Sequence, residues 1–171
     1  MEERGLDMEK ELLKKGPVLD EKGRPIPGYS RKSTLVYDRK AIKAPAWRIK
    51  EWDFYQISNE RLCLQFTIGH AAYAGQVSLM LFDFIKGEKL LDLNKILVLP
   101  FGSLHMPTDA EKDNTLSYEK GGVLMRFQTK NQKRVLTCRW GNVEVKIRLE
   151  RQNPNSLVIN LPLTNTPALL L

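Results

Sequence analysis

The sequence predicts an all-β domain in which antiparallel strands follow one another as a meander. Apolar and polar residues alternate with a period of two over residues 62–68, 123–127 and 143–149, which is the pattern of strands with one face on a core and one in water. Short turn sequences such as Trp140-Gly141-Asn142 separate these segments. Because a parallel pair needs a crossover of about a dozen residues or more, strands joined by such turns are expected to be antiparallel.

The strand pattern covers most of the chain after residue 33. Residues 76–85 are apolar on both faces, so this strand is expected at the centre of a sheet or beneath another layer. Closure into an up-and-down barrel, or into a strongly curved sheet, would remove the exposed edges. Strands are expected near residues 34–37, 52–58, 61–68, 75–85, 88–93, 95–99, 114–118, 122–129, 133–140, 142–150 and 156–161.

A short helix is predicted before the strands, over residues 7–15. Asp7 would cap it, and Gly16-Pro17 would end it. Prolines and glycines then mark an extended lead-in. The predicted organisation is therefore a helix and lead-in over residues 1–33, a β domain over 34–163 and an apolar tail over 164–171.

Composition and charge restrict the class of protein. The chain has 171 residues, 42% of them hydrophobic and 27% charged, which is a globular composition sufficient for one domain. The net charge is +7, but no nucleic-acid motif accompanies the basic residues, so no nucleic-acid partner is predicted. No apolar run approaches the roughly 20 residues of a membrane span. Without a recognisable secretion signal, a cytoplasmic location is expected.

The two cysteines are predicted to be free thiols. Cys63 shares the polar face of its strand with Arg61 and Gln65, whereas Cys138 shares its face with Leu136 and Trp140. Different sheet faces and a reducing compartment both disfavour a disulfide.

No cofactor or metal site is predicted. His70 and His105 lie far apart in the sequence, without further ligands at the spacing of a zinc site. Phosphate-loop, dinucleotide and serine-nucleophile motifs are absent as well.

The segment between Trp47 and Tyr55 holds the candidate binding residues. It combines aromatic rings with charged groups, and the predicted ligand-binding residues are Trp47, Arg48, Lys50, Trp52, Asp53 and Tyr55, with Asp83 from a later strand. Two interpretations stay open. The aromatic side chains line the opening of a barrel and hold an apolar ligand by its polar end, or they close that end of the barrel for folding alone. Because strand residues alternate, Trp52 and Phe54 would face one way while Asp53 and Tyr55 face the other.

Asp83 is an acidic residue in an otherwise apolar strand. Facing a cavity, its carboxyl group would have a raised pKa and could act as an acid. At the strand end it would simply be exposed.

Several segments carry a resemblance to a known family. They are Pro27-Gly28-Tyr29-Ser30-Arg31-Lys32, Trp47-Arg48-Ile49-Lys50-Glu51-Trp52-Asp53-Phe54-Tyr55, Leu99-Pro100-Phe101-Gly102 and Leu104-His105-Met106-Pro107. In these the chain resembles, from about Leu19 to Leu163, a family known only as a domain of unknown function (number two-eight-zero-four). The resemblance implies a second all-β half in its members, so this chain is expected to match the first half only. Its strand pattern is also similar to lipocalin-like hydratases and cyclases.

The C-terminal residues Leu169-Leu170-Leu171 are strongly apolar. We expect them to pack within the domain or to form a contact between copies of the chain, because exposed consecutive leucines promote association.

Three functions from different classes remain open. The first is binding of an apolar or amphipathic small molecule, and the second is a structural or interaction domain with a filled interior. The third is a hydratase-like or cyclase-like enzyme that uses Asp53 or Asp83 as its acid. No catalytic motif selects the enzyme.

Overall fold

The computed structural model describes residues 10–71, 73–100, 102–162 and 169–170. Antiparallel meanders dominate it, which confirms the all-β prediction. The strands are β1 (Gly16–Pro17), β2 (Gly28–Ser30), β3 (Leu35–Val36), β4 (Lys50–Ser58), β5 (Leu62–Ala71), β6 (Ala74–Asp83), β7 (Glu88–Val98), β8 (Asn114–Lys120), β9 (Val123–Lys130), β10 (Lys133–Trp140), β11 (Val143–Glu150), β12 (Val158–Pro162) and β13 (Leu169–Leu170). Two 3₁₀ turns lie at Arg39–Ala41 and Ala46–Arg48.

The chain divides into two compact units. The larger comprises residues 45–107 and 113–150 and holds two four-stranded sheets. In the first sheet the strand order is β4-β5-β6-β7, and in the second it is β11-β10-β9-β8. Every neighbouring pair within these two sheets is antiparallel and consecutive in sequence.

The inward faces of these two sheets form the hydrophobic core. The alternation seen in the sequence puts one apolar face of each strand there, because successive strand residues point to opposite sides. The fully buried core side chains are Phe66, Ile68, Val77 and Leu79 of the first sheet, and Leu116, Val123, Met125, Phe127, Leu136 and Cys138 of the second. Burying apolar area of this kind is the main favourable contribution to folding.

Strand β6 is the apolar central strand that the sequence predicts. Val77 and Leu79 lie in the core, and Met80 and Phe82 on its other face are half-buried. The expected strands at 88–93 and 95–99 merge into β7. The pairing of β6 with β7 changes register between Leu81 and Phe82.

The larger unit differs from the expected closed barrel. Among the described residues, no backbone pairing joins the two sheets, and each sheet keeps its own edge strands. The long connection between β7 and β8 separates two meanders, so the sheets pack face to face through their side chains.

The smaller unit holds the remaining described strands. Strand β12 pairs with β2 and with β13, whereas β1 and β3 form a short parallel pair. Asn160 is buried here, and its side-chain amide donates hydrogen bonds to the carbonyl oxygens of Val18 (2.9 Å) and Ile26 (2.7 Å). One side chain therefore binds two loop carbonyls and joins both loops to β12.

The predicted N-terminal helix is wrong over residues 10–15, while residues 7–9 lie outside the described residues. The chain is extended instead. The Leu12 N–H donates to the Tyr29 carbonyl (2.7 Å), and the Tyr29 N–H donates to the Lys10 carbonyl (3.0 Å). A helix of nine residues is marginal on its own. Pairing with Tyr29 instead satisfies the N–H of Leu12 and the carbonyl of Lys10.

The backbone of Leu169-Leu170 pairs with β12. The rest of the predicted tail, residues 164–168 and Leu171, lies outside the described residues. Among the described residues, no helix is long and apolar enough to cross a membrane.

Both cysteines are buried and free, which confirms the thiol prediction. Burial raises the pKa of Cys138 to about 11. Since the thiolate is the reactive form, we expect a thiol reagent to react slowly with the folded protein. In denaturant without reductant it should count two thiols, and a count of none would reveal a disulfide.

Replacing Leu136 with alanine should destabilise the larger unit by about 2–5 kcal/mol, because the fully buried side chain would leave a cavity between the sheets. Leu90→Ala, at a half-exposed leucine, should cost within about 0.5 kcal/mol. Urea unfolding measures both, and equal losses would argue against the packing described.

Candidate functional site

The inward face of the first sheet becomes polar at one end of β4 and β5. Along β4 the inward positions hold Glu51, Asp53 and Tyr55, and along β5 the apolar face ends in His70. Glu51 is the cross-strand partner of His70. Ionisable groups on a core face lose hydration, so such a group usually has a specific partner or a function.

Asp53 and Tyr55 form a charged group with Arg134, which β10 of the second sheet supplies. The Tyr55 hydroxyl donates to Asp53 Oδ2 at 3.3 Å. The Arg134 guanidinium carbon lies 5.6 Å from the centre of the Tyr55 ring. The Tyr55 ring also meets the Phe127 ring edge-on, with 4.9 Å between the ring centres. Tyr55 therefore contacts both a cation and the core.

Burial controls the ionisation of this group. It raises the pKa of Asp53, although the positive charge of Arg134 and the hydrogen bond from Tyr55 oppose the rise. It also raises the pKa of Tyr55 to about 12, and the neighbouring Asp53 carboxylate adds to that rise. Tyr55 therefore stays a neutral hydrogen-bond donor at physiological pH, beside an arginine that stays charged.

An apolar strip on the inward face of β11 adjoins Arg134. Its residues are half-buried, unlike the fully buried residues of β9 and β10, and they are Val143, Val145, Ile147 and Leu149. Leu149 is the cross-strand partner of Arg134, and Val143 is the partner of Trp140. Since β11 is an edge strand, this β11 strip lies at the open side of the sandwich.

Glu51 and His70 form a separate buried pair. His70 Nε2 lies 2.8 Å from Glu51 Oε2, and both side chains are almost completely buried. The second ring nitrogen of His70, Nδ1, is buried without a hydrogen-bond partner among the described residues. Gly69 beside it is required, because a Cβ there would lie 2.4 Å from the Cβ of Trp52.

The predicted binding residues separate in the structure. Only Asp53 and Tyr55 come together on the inward face. Trp52 is 50% exposed on the opposite face of β4. Trp47 and Arg48 lie exposed in a 3₁₀ turn, with the Arg48 guanidinium 5.8 Å from the Trp47 ring centre. Lys50 is exposed at the start of β4.

Asp83 differs from both alternatives drawn from the sequence. It ends β6 as expected, but it is only 1% exposed. Burial alone would raise its pKa. However, the backbone N–H groups of Lys86 and Ile85 and the Arg61 guanidinium, 3.0 Å away, donate to its carboxylate. Together they lower the pKa of Asp83 below its usual value, so it is suited to holding a turn and not to donating a proton.

Arg134, Glu51 and His70 were missed by the sequence analysis. A signal was present for two of them, because each continues an apolar alternation: Arg134 precedes Leu136 and Cys138, and His70 follows Phe66 and Ile68. Glu51 had no such signal, since Asp53 follows it on the same face of β4. Among the described residues, no group of three or more His, Cys, Asp or Glu side chains is placed to hold a metal ion.

Comparisons with known proteins identify a family but no activity. Residues 9–169 match the family described as Domain of unknown function (DUF2804). The match takes in nearly the whole chain, and it does not support the expectation of the first half alone. No curated protein and no solved structure matches the chain.

Asp53→Asn should gain stability relative to the wild type as pH rises. Because the folded state raises the pKa of Asp53 above 3.8, this carboxyl group favours folding fully below that value. The contribution is lost as pH rises through the raised pKa. Asparagine never ionises, so the free energy of unfolding of the variant minus that of the wild type should increase across this window. Urea unfolding between about pH 3 and pH 7 measures it, and a flat difference would contradict the raised pKa of Asp53.

Asp83→Asn provides the opposite case. A lowered pKa stabilises the folded state above the ordinary value of 3.8, and the contribution is lost as pH falls through the lowered value. The variant should therefore be less stable than the wild type at neutral pH, with a deficit that shrinks in acid. A deficit that persists unchanged in acid would mean that the charge of Asp83 is not responsible.

Proposed function

We infer that this chain, which belongs to the DUF2804 family, binds an amphipathic small molecule with an anionic end group. The observation that carries the proposal is the half-buried β11 strip beside Arg134 and Tyr55. The strip is an apolar surface that ends at the Arg134 cation. A ligand with an apolar chain and an anionic head requires this combination.

The β11 strip suits the apolar part of such a ligand. Inward side chains of one strand lie about 7 Å apart, so Val143 to Leu149 extends over roughly 20 Å. Burying one CH₂ group contributes about 0.8 kcal/mol. A chain of about ten carbons could therefore reach micromolar affinity after the costs of ordering.

The charged group suits the anionic end. The Arg134 guanidinium can donate two hydrogen bonds to a carboxylate or a phosphate. The Tyr55 hydroxyl, held neutral by its raised pKa, donates its one proton to Asp53, so it becomes a second donor only when it exchanges that hydrogen bond for one to the ligand. Asp53 competes with the ligand for Arg134 when it is ionised, and its raised pKa reduces that competition as pH falls.

A lipocalin-like arrangement belongs to this proposal by analogy of fold alone. Lipocalins are likewise built of antiparallel meanders, but their barrel surrounds the ligand, whereas the ligand proposed for this chain lies at an edge strand. The filled-interior alternative also has an observation in its favour, since side chains from both sheets occupy the core between them. The proposed ligand therefore lies at the open side by β11 and not inside that core.

A fluorescence titration tests the proposal. In the double variant Trp47→Phe, Trp52→Phe, Trp140 is the remaining tryptophan, and it lies beside Val143 of the β11 strip. Decanoate should change its emission in a saturable way and bind at least about tenfold more tightly than decanol, because a charge-assisted hydrogen bond contributes about 1.5–3 kcal/mol. Adding Arg134→Gln should remove that preference.

Arg48→Gln is the matched control, because it removes an exposed arginine outside the sheets. It should leave the preference for decanoate unchanged. If neither ligand changes the emission of the folded protein, the filled-interior function is the better one. If both arginine variants lose the preference equally, net charge and not the Arg134 site is responsible.

A further inference from the structure

The outward face of the second sheet carries an excess of positive charge. Because successive strand residues point to opposite sides, the charged side chains of this outward face point away from the core, and all of them are exposed. We call this the cationic face; its basic residues are Arg126, Lys130, Lys133, Arg139, Lys146 and Arg148, and its acidic residues are Glu119, Glu144 and Glu150.

Part of this charge is neutralised within the face. Glu119 lies 3.6 Å from Arg126, and Glu150 lies 2.7 Å from Lys133. Across the described ranges, Lys130, Arg139, Lys146 and Arg148 form no such ion pair, and neither does Glu144. Lys146 and Arg148 follow one another on the outward side of β11, so two of these four cations lie on the strand that also carries the apolar strip.

The residues between the charges suit small anionic groups. Thr137 is the cross-strand partner of both Lys146 and Arg126, and Ser117 is the other partner of Arg126. Hydroxyl groups in this row can donate to phosphate oxygens. The outward positions of β8 to β11 hold no aromatic side chain for stacking on bases. The chemistry therefore favours lipid phosphates over single-stranded nucleic acid.

We propose that the cationic face docks on an anionic lipid bilayer, with Lys146 and Arg148 of β11 among the cations that contact the headgroups. The inference rests on the proposed function, because a ligand with an apolar chain and an anionic head resides in such a bilayer. Strand β11 then has one face toward the headgroups and the other toward the bound chain. Attraction of this kind acts only within about 10 Å at ordinary ionic strength, so the docked strand must lie close to the surface.

Vesicle sedimentation tests the docking. The wild-type protein should bind vesicles of phosphatidylcholine with phosphatidylserine, release them in high salt and fail to bind phosphatidylcholine alone. Lys146→Gln with Arg148→Gln should weaken binding about 25-fold, from about fivefold for each cation near the surface. The control Lys50→Gln with Lys86→Gln removes the same charge from exposed positions of the first sheet and its hairpin, and it should weaken binding less than about threefold.

Other results would overturn the docking. Equal losses in the two double variants would mean attraction by net charge alone. Binding to duplex DNA without binding to vesicles, lost in the β11 variant, would assign the face to nucleic acid. The decanoate titration separates this proposal from the previous one. Arg134→Gln should still bind vesicles, and Lys146→Gln with Arg148→Gln should still bind decanoate in solution.

Discussion

Phe127 holds the two four-stranded sheets in contact. Its ring meets Tyr55 of the first sheet edge-on at 4.9 Å and Phe66 at 6.2 Å. Side-chain packing of this kind must replace backbone pairing here, because the described strands of the two sheets share no ladder. The same packing reaches the charged group, because Tyr55 contacts Phe127 and also meets Arg134.

The sequence was sufficient for most of the strands. Alternation over residues 62–68 and 143–149 placed β5 and β11 within a few residues, because a half-buried strand has a period that no helix shares. The alternation also predicted that Trp52 and Tyr55 face opposite sides of β4, which is how the structure has them. Strand β7 was predicted as two strands, because Asn94 interrupts its apolar pattern. The backbone pairing of β7 nevertheless continues through Asn94.

The remaining features depend on contacts between distant parts of the chain. Residues 10–15 have the composition of a helix, but pairing with Tyr29 overrides that local preference. In the sequence, Arg134 looks like a surface arginine. Only the packing of the two sheets brings it close to Tyr55 and Asp53. Asp83 shows the same limit. Its partner Arg61 lies on the far side of a hairpin, and periodicity carries no information about such pairs.

The register change in the hairpin of β6 and β7 resets the orientation of a whole strand. Leu81 pairs with Leu91, whereas Phe82 pairs with Lys89, so Leu90 is left without a partner in the ladder. One additional residue shifts a strand by half of its two-residue period. Leu91, Leu93 and Leu97 consequently pack against the core, and Leu90 is half-exposed. The additional residue therefore aligns the side-chain alternation of β7 with that of β6. As a result, the paired leucines of both strands face the same side of the sheet.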